Sequence, residues 1–262
     1  MADQQKIIAL DGVELAYFDF PPTEMVEAEK AILLIHGFAS TAQVNWLGTS
    51  WAGMLRRMGY RVIAPDMRGH GASQKFYSPD EYGPDIFAAD MVKLLDALGL
   101  GQVDVMGYSM GARITCYLSA TYPDRVRRAV FGGMGINIFG QRGGYESVAQ
   151  ALEADDQTTI LNAHAASFRR FADATGSDRF ALAACIRLSQ VQITTETVAA
   201  VQVPTLVAVG SDDEIGGSAH DLAVLLPKGE GFTIEGLDHM KATGAVSFKE
   251  AVAQFLQKSE PV

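Results

Sequence analysis

The chain has 262 residues, of which 48% are hydrophobic and 20% charged. That excludes disordered, coiled-coil and collagen-like chains and supplies enough apolar material for one or two sizeable domain cores. With 31 acidic against 21 basic residues the formal net charge is −10; such a surface repels phosphate backbones, so nucleic acid is excluded as a partner, and it attracts no anionic substrate unless a local basic pocket overrides it.

No apolar run approaches the roughly 20 residues that span a bilayer, and the first ten residues, MADQQKIIAL, lack the basic and apolar segments of a signal peptide. No membrane association and a cytoplasmic location are the expectation. Cys116 and Cys185 match no metal or redox spacing and are read as reduced, buried thiols.

Taken in chain order, Lys6–Leu10 and Glu14–Phe20 are strand-like runs joined by Asp11-Gly12, a hairpin signal. Ala31–Ile35 is continuously apolar, as in a strand buried on both faces. Trp46–Met58 is predicted helical and Arg61–Pro65 a strand. Asp85–Leu98 carries apolar residues along one helical face and stops at Gly99. Val103–Tyr108 is a strand, Ala112–Thr121 a helix and Arg128–Phe131 a strand. Residues 135–200 are Ala-rich and helical, without a clear strand. The alternation then resumes with a strand at Val203–Val209, a helix at Ser218–Leu226, a strand at Gly231–Ile234 and a helix at Val246–Gln257. Alternating strands and helices predict an α/β fold: a mostly parallel twisted sheet of about eight strands, helices on both faces and a leading antiparallel hairpin. Residues 1–134 and 201–262 form its core. The helical stretch 135–200 is an insertion over the C-terminal edge of the sheet, where α/β proteins bind ligands.

The strongest local signal is Gly107-Tyr108-Ser109-Met110-Gly111, between a strand and a helix. A serine held on so sharp a turn has strained backbone angles, and glycine two residues to either side relieves the crowding. The helix N-terminus behind it favours developing negative charge. Serine needs a base. Of His36, His70, His164, His220 and His239, only His239 lies in a loop between the last strand and the last helix. His220 and His164 fall in helical patterns, and His36 and His70 in turns after strands, where backbone capping is the ordinary role. The base needs an orienting acid. The segment Gly210-Ser211-Asp212-Asp213-Glu214 follows a strand and offers three, whose chemistry alone leaves the choice open.

Together these segments resemble the α/β-hydrolase superfamily, in its capped serine hydrolase branch. His36-Gly37-Phe38, Asp66-Met67-Arg68-Gly69-His70-Gly71-Ala72-Ser73, the turn at Ser109 and the Asp and His loops carry the likeness, in the family's order of Ser, Asp and His. The resemblance implies Ser109 as nucleophile, His239 as base and Asp213, at the family's Gly-x-x-Asp position, as the acid that holds the imidazole. It implies an oxyanion hole from the backbone N–H groups of Phe38 and Met110. His36 and Gly37 then shape the oxyanion loop, Arg68 and His70 are framework residues, and residues 135–200 become a helical cap. The serine separates this chain from the haloalkane dehalogenases and epoxide hydrolases of the superfamily, which use aspartate at that place.

The expected activity is hydrolysis of a small, mostly apolar ester, thioester or lactone through an acyl-enzyme, without cofactor or metal, by a monomer or homodimer. The same residues suit carbon–carbon cleavage of a diketone or cofactor-free perhydrolysis, and a ligand-sensing protein without turnover is the non-enzyme alternative. Candidate substrate contacts are Tyr108, Met134, Ile136, Phe139, Phe168, Phe171 and Ile186. Arg142, Arg169 and Arg170, in the insertion, are candidate binders of a substrate carboxylate, although surface solvation is the ordinary role of such arginines.

Overall fold

A computed structural model describes residues 4–24, 30–140, 145–188 and 193–258. Eight strands form one sheet: β1 (Lys6–Leu10), β2 (Val13–Phe20), β3 (Lys30–Ile35), β4 (Tyr60–Pro65), β5 (Val103–Tyr108), β6 (Val126–Gly132), β7 (Thr205–Gly210) and β8 (Gly229–Ile234). Their spatial order is β1-β2-β4-β3-β5-β6-β7-β8. The β1–β2 and β2–β4 pairings are antiparallel and the rest parallel, so the leading hairpin forms one edge, as the sequence predicts.

The parallel strands are apolar throughout because both faces are covered. Successive side chains alternate between faces. Leu33, Ile35, Val105, Phe131 and Val207 pack with helices α2 (Pro84–Ala97), α3 (Met110–Thr121) and α8 (Ala219–Ala223). Ile32, Leu34, Met106, Val130 and Ala208 pack with α1 (Trp51–Arg57), α9 (His239–Ala242) and α10 (Val246–Gln257). Between β6 and β7 lie a 3₁₀ turn at Ile136–Phe139 and helices α4 (Tyr145–Glu153), α5 (Ala163–Ala174), α6 (Arg179–Leu188) and α7 (Thr195–Ala199). Helix α4 packs against α5 and α6, and α7 against α3. Among the described residues no strand occurs in this insertion, in agreement with its helical composition.

Several boundaries differ from the sequence pattern. The helix expected over Trp46–Met58 is interrupted: a π-type turn spans Gln43–Leu47, and Ser50 adopts φ 66° before α1 begins. The Thr49 hydroxyl donates to the Asn45 carbonyl, a local side-chain bond that competes with the helical ladder. The break turns Trp51 inward, where its indole N–H donates to the Thr243 carbonyl at 2.7 Å. Strand β7 begins only after Pro204, and α8 is shorter than its apolar pattern. Both cysteines are buried and no disulfide joins them.

The loop after β4 is held by two acids. Asp66 accepts from the backbone N–H groups of Ala42 and Ala72, at 2.8 and 2.9 Å, and from the Gln5 amide. Arg68 makes a bidentate pair with Asp90 at 2.6 and 2.8 Å, both buried, and donates to the Glu81 carbonyl. Removing one member of a buried pair leaves the other charged and unsatisfied, at about 3–5 kcal/mol. Arg68→Met is therefore expected to lower the unfolding free energy by about that amount, measured by urea titration.

Candidate active site

Four loops converge at the C-terminal ends of the parallel strands. Ser109 follows β5 and caps α3 with φ 56° and ψ −111°, a conformation few L-residues adopt. The neighbouring glycines are required by contact. A Cβ on Gly107 would lie 2.0 Å from the Gly111 carbonyl oxygen, and one on Gly111 2.0 Å from that of Ile35. Helix α3 thus crosses the end of β3 at backbone distance, and Ser109 is driven out above the sheet. Its amide donates to the Gly132 carbonyl at 2.8 Å, which ties the turn to β6.

His239 opens α9, capped by Asp238, whose carboxylate accepts from the Met240 and Lys241 amides. Its Nε2 lies 2.9 Å from Ser109 Oγ and its Nδ1 2.7 Å from Asp213 Oδ2. The other Asp213 oxygen accepts from the amides of Ile215 and Gly216, at 3.0 and 2.8 Å. A carboxylate so placed holds the proton on Nδ1 and leaves Nε2 to accept from the serine hydroxyl. Of the three clustered acids, Asp212 and Glu214 are exposed and only Asp213 turns inward. The Tyr108 hydroxyl, whose pKa burial raises further above the neutral range, donates to the His239 carbonyl at 2.6 Å and fixes the histidine backbone.

The loop after β3 completes the site. A Cβ on Gly37 would stand 3.6 Å from Ser109 Cβ, so this loop lies directly against the serine. Gly37 donates to Asn45 Oδ1 at 2.9 Å. The amides of Phe38 and Met110 make no hydrogen bond among the described residues and remain available as donors. Behind the loop, His36 Nε2 accepts from the Met67 amide at 2.9 Å, and the rings of His36 and His70 are 5.1 Å apart. Phe38 packs on His70 and, across the cavity wall, on Phe168 of the insertion. His36 and His70 are thus framework, as expected, and His220 is exposed on α8.

A cavity of about 600 Å³ opens above the serine, within the range that takes small ligands. Core residues Gly37, Phe38, Ser40, Asn45, Tyr108, Ser109, Met110, Arg113, Met134 and His239 border one side. Tyr145, Val148, His164, Phe168, Phe171 and Ile186 of the insertion border the other. Of the expected substrate contacts, Tyr108, Met134, Phe168, Phe171 and Ile186 are therefore placed on the cavity. Ile136 and Phe139 are not. The turn that carries them has three residues per turn, so they share one face, while Asn137 and Gly140 share the face toward the cavity. Arg169 is buried inside the insertion, bonded to Asp173 and to the carbonyls of Ala151 and Ala154, and Arg170 is exposed. Arg142 lies outside the described residues. The sequence reading passes over Asn45 and Arg113; for Arg113 a signal existed, since it is the one charged residue of α3.

Known proteins share this fold. The family model described as alpha/beta hydrolase fold matches residues 30–177. Epoxide hydrolase 2 of Siraitia grosvenorii is 40% identical over 103 residues, 38% of this chain and 31% of that protein. The 2-hydroxy-6-oxo-2,4-heptadienoate hydrolase of Pseudomonas putida is 33% identical over 140 residues, 52% of this chain and 47% of that protein. These matches thus span less than half of each relative. The crystallised esterase of Exiguobacterium antarcticum superposes with TM-score 0.80 over 97% of this chain and 100% of that one, at 17% identity, a likeness of fold.

Two predictions follow from the packing. Gly111→Ala forces Cβ into the Ile35 carbonyl and is expected to destabilise by about 1–3 kcal/mol or more, read as a lowered thermal midpoint. Burial holds the His36 imidazole below its ordinary pKa and lowers that of His70 to about 3. A histidine held low binds fewer protons folded than unfolded, so its stabilisation is present above the unfolded value of about 6.5 and is lost as pH falls. Stability is expected to drop below that pH by about 1.4 kcal/mol per unit on account of His70, with His36 acting in the same direction. Urea titrations from pH 7 to 4 measure the slope, and His70→Gln should flatten it.

Proposed function

Because the chain belongs to the alpha/beta hydrolase fold family, we propose that it is a serine hydrolase that cleaves a small ester, thioester or lactone through an acyl-enzyme. The observation that carries this reading is the chain of hydrogen bonds from Ser109 through His239 to Asp213, at 2.9 and 2.7 Å, mounted on a strained turn beneath a cavity. His239 Nε2 takes the Ser109 proton as Oγ attacks the substrate carbonyl carbon. The oxyanion so formed accepts from the Phe38 and Met110 amides; each donor in such a hole is worth about 3 kcal/mol in the transition state. Asp213 stabilises the imidazolium. The tetrahedral species collapses, the bond to the leaving oxygen or sulfur breaks, and His239 returns the proton to it. Water, deprotonated by His239, then releases the acid and restores Ser109. The insertion acts as a cap over residues 135–200: it sets substrate shape and excludes bulk water.

The epoxide-hydrolase name of one relative is not transferred. Attack by a serine oxygen on an epoxide carbon gives an ether, which offers no carbonyl for water to attack, and the enzyme would stall after one event. A second reading is carbon–carbon cleavage of a diketone, favoured by the 33% identity to the heptadienoate hydrolase. It uses the same three residues, with the proton delivered to a carbon leaving group.

Incubation with a fluorophosphonate is expected to place one adduct on Ser109, seen by mass spectrometry. Turnover of a p-nitrophenyl ester panel should fall at least about 10³-fold in Ser109→Ala and in Asp213→Asn. An adduct without turnover of any ester would favour the carbon–carbon reading or ligand sensing, and unchanged turnover in Ser109→Ala would remove the proposal.

A further inference from the structure

The described residues contain four buried arginines: Arg68, Arg113, Arg128 and Arg169. Three have oxygen partners. Arg68 pairs with Asp90, Arg128 donates to the Lys258 carbonyl, and Arg169 pairs with Asp173. Arg113 differs. It lines the cavity and is 8% exposed, its Nη1 contacts Met134 Sδ at 3.9 Å, and its Nη2, itself buried, has no hydrogen-bond partner among the described residues. Among the described residues no Asp or Glu lines the cavity. Asp213, the nearby acid, has both oxygens engaged by His239, Ile215 and Gly216.

A guanidinium is always charged, and a buried charge without a partner costs stability. Its planar fork of N–H donors matches a carboxylate in bidentate geometry. Arg113 also stands one helical turn beyond Ser109, to whose carbonyl its amide donates at 3.2 Å, a rise of about 6 Å along the axis. An anion bound there lies within the same small cavity as the reacting carbonyl. We propose that Arg113 is a specificity-determining residue that binds a carboxylate on the substrate, so that the preferred substrate is a small carboxylate-bearing acyl compound such as the half-ester of a short dicarboxylic acid. The proposal names the substrate class within the serine-hydrolase reading and rests on that reading for its reaction. The protein's net charge of −10 does not oppose it, because a fixed cation at the cavity dominates the local potential over distant, screened surface acids.

The test compares two nearly isosteric esters, p-nitrophenyl hydrogen glutarate and p-nitrophenyl pentanoate, with wild type, Arg113→Met and Arg113→Lys. Wild type should favour the glutarate ester in kcat/KM by at least about tenfold. Arg113→Met should bring the ratio to one or below, and Arg113→Lys should retain part of it. Glutarate alone should raise the thermal midpoint of wild type and not of Arg113→Met. Without ligand, Arg113→Met should unfold at an equal or higher temperature, whereas a merely structural arginine would lower it. A wild-type ratio near one, or a ratio unmoved in Arg113→Met, overturns the proposal, and the first of these needs no variant to fold. If Ser109 takes no fluorophosphonate and neither ester is turned over, the hydrolase reading fails. Glutarate stabilisation and its loss in Arg113→Met then still decide the role of Arg113.

Discussion

The site depends on how closely α3 crosses the end of the sheet. Gly107 and Gly111 let backbone meet backbone where any side chain would stand 2.0 Å from a carbonyl oxygen. That approach leaves Ser109 at φ 56°, a strained conformation that the surrounding packing must over-determine. The strain places the hydroxyl above the strand ends, against the Gly37-Phe38 loop, and brings the positive end of α3 up behind it. The other loops are arranged against this fixed point. Asp213 follows β7 and His239 follows β8, so each arrives from its own strand end with a backbone already held by the sheet.

The backbone around Ser109, Asp213 and His239 is held by specific hydrogen bonds. Tyr108 secures the His239 carbonyl, two amides secure Asp213, Asn45 secures Gly37, and His36 secures the Met67 amide. Buried polar groups that are fully paired make rigid walls. Four buried side-chain atoms lack a hydrogen-bond partner among the described residues, Ser40 Oγ, Trp46 Nε1, His70 Nε2 and Arg113 Nη2, and of these only Arg113 carries a fixed charge, on a residue that lines the cavity. The insertion supplies the opposite wall, fastened to the core by Thr175 on the Ala39 carbonyl, by Tyr77 on Asp178 and by the Phe38–Phe168 contact.

Much of this was legible in the chain, for local reasons. The apolar runs at 31–35 and 103–108 report strands covered on both faces, and the Gly-x-Ser-x-Gly spacing reports a turn too tight for side chains. The one histidine between the last strand and the last helix is the one that meets Ser109. The boundaries that differ were set by longer-range contacts. Trp51 needs the Thr243 carbonyl, 192 residues away, and the helix pattern over Trp46–Met58 breaks to reach it.

The sequence by itself determined the order of elements, the strained serine and its histidine, because these depend on backbone sterics and on neighbours a few residues apart. Only the tertiary structure decided which of Asp212, Asp213 and Glu214 turns inward, and that Asn137 and Gly140 rather than Ile136 and Phe139 face the cavity. The sequence marks Arg113 only as the one charged residue of α3; that its guanidinium lacks an oxygen partner among the described residues depends on everything that folds around it, and only the tertiary structure decided that.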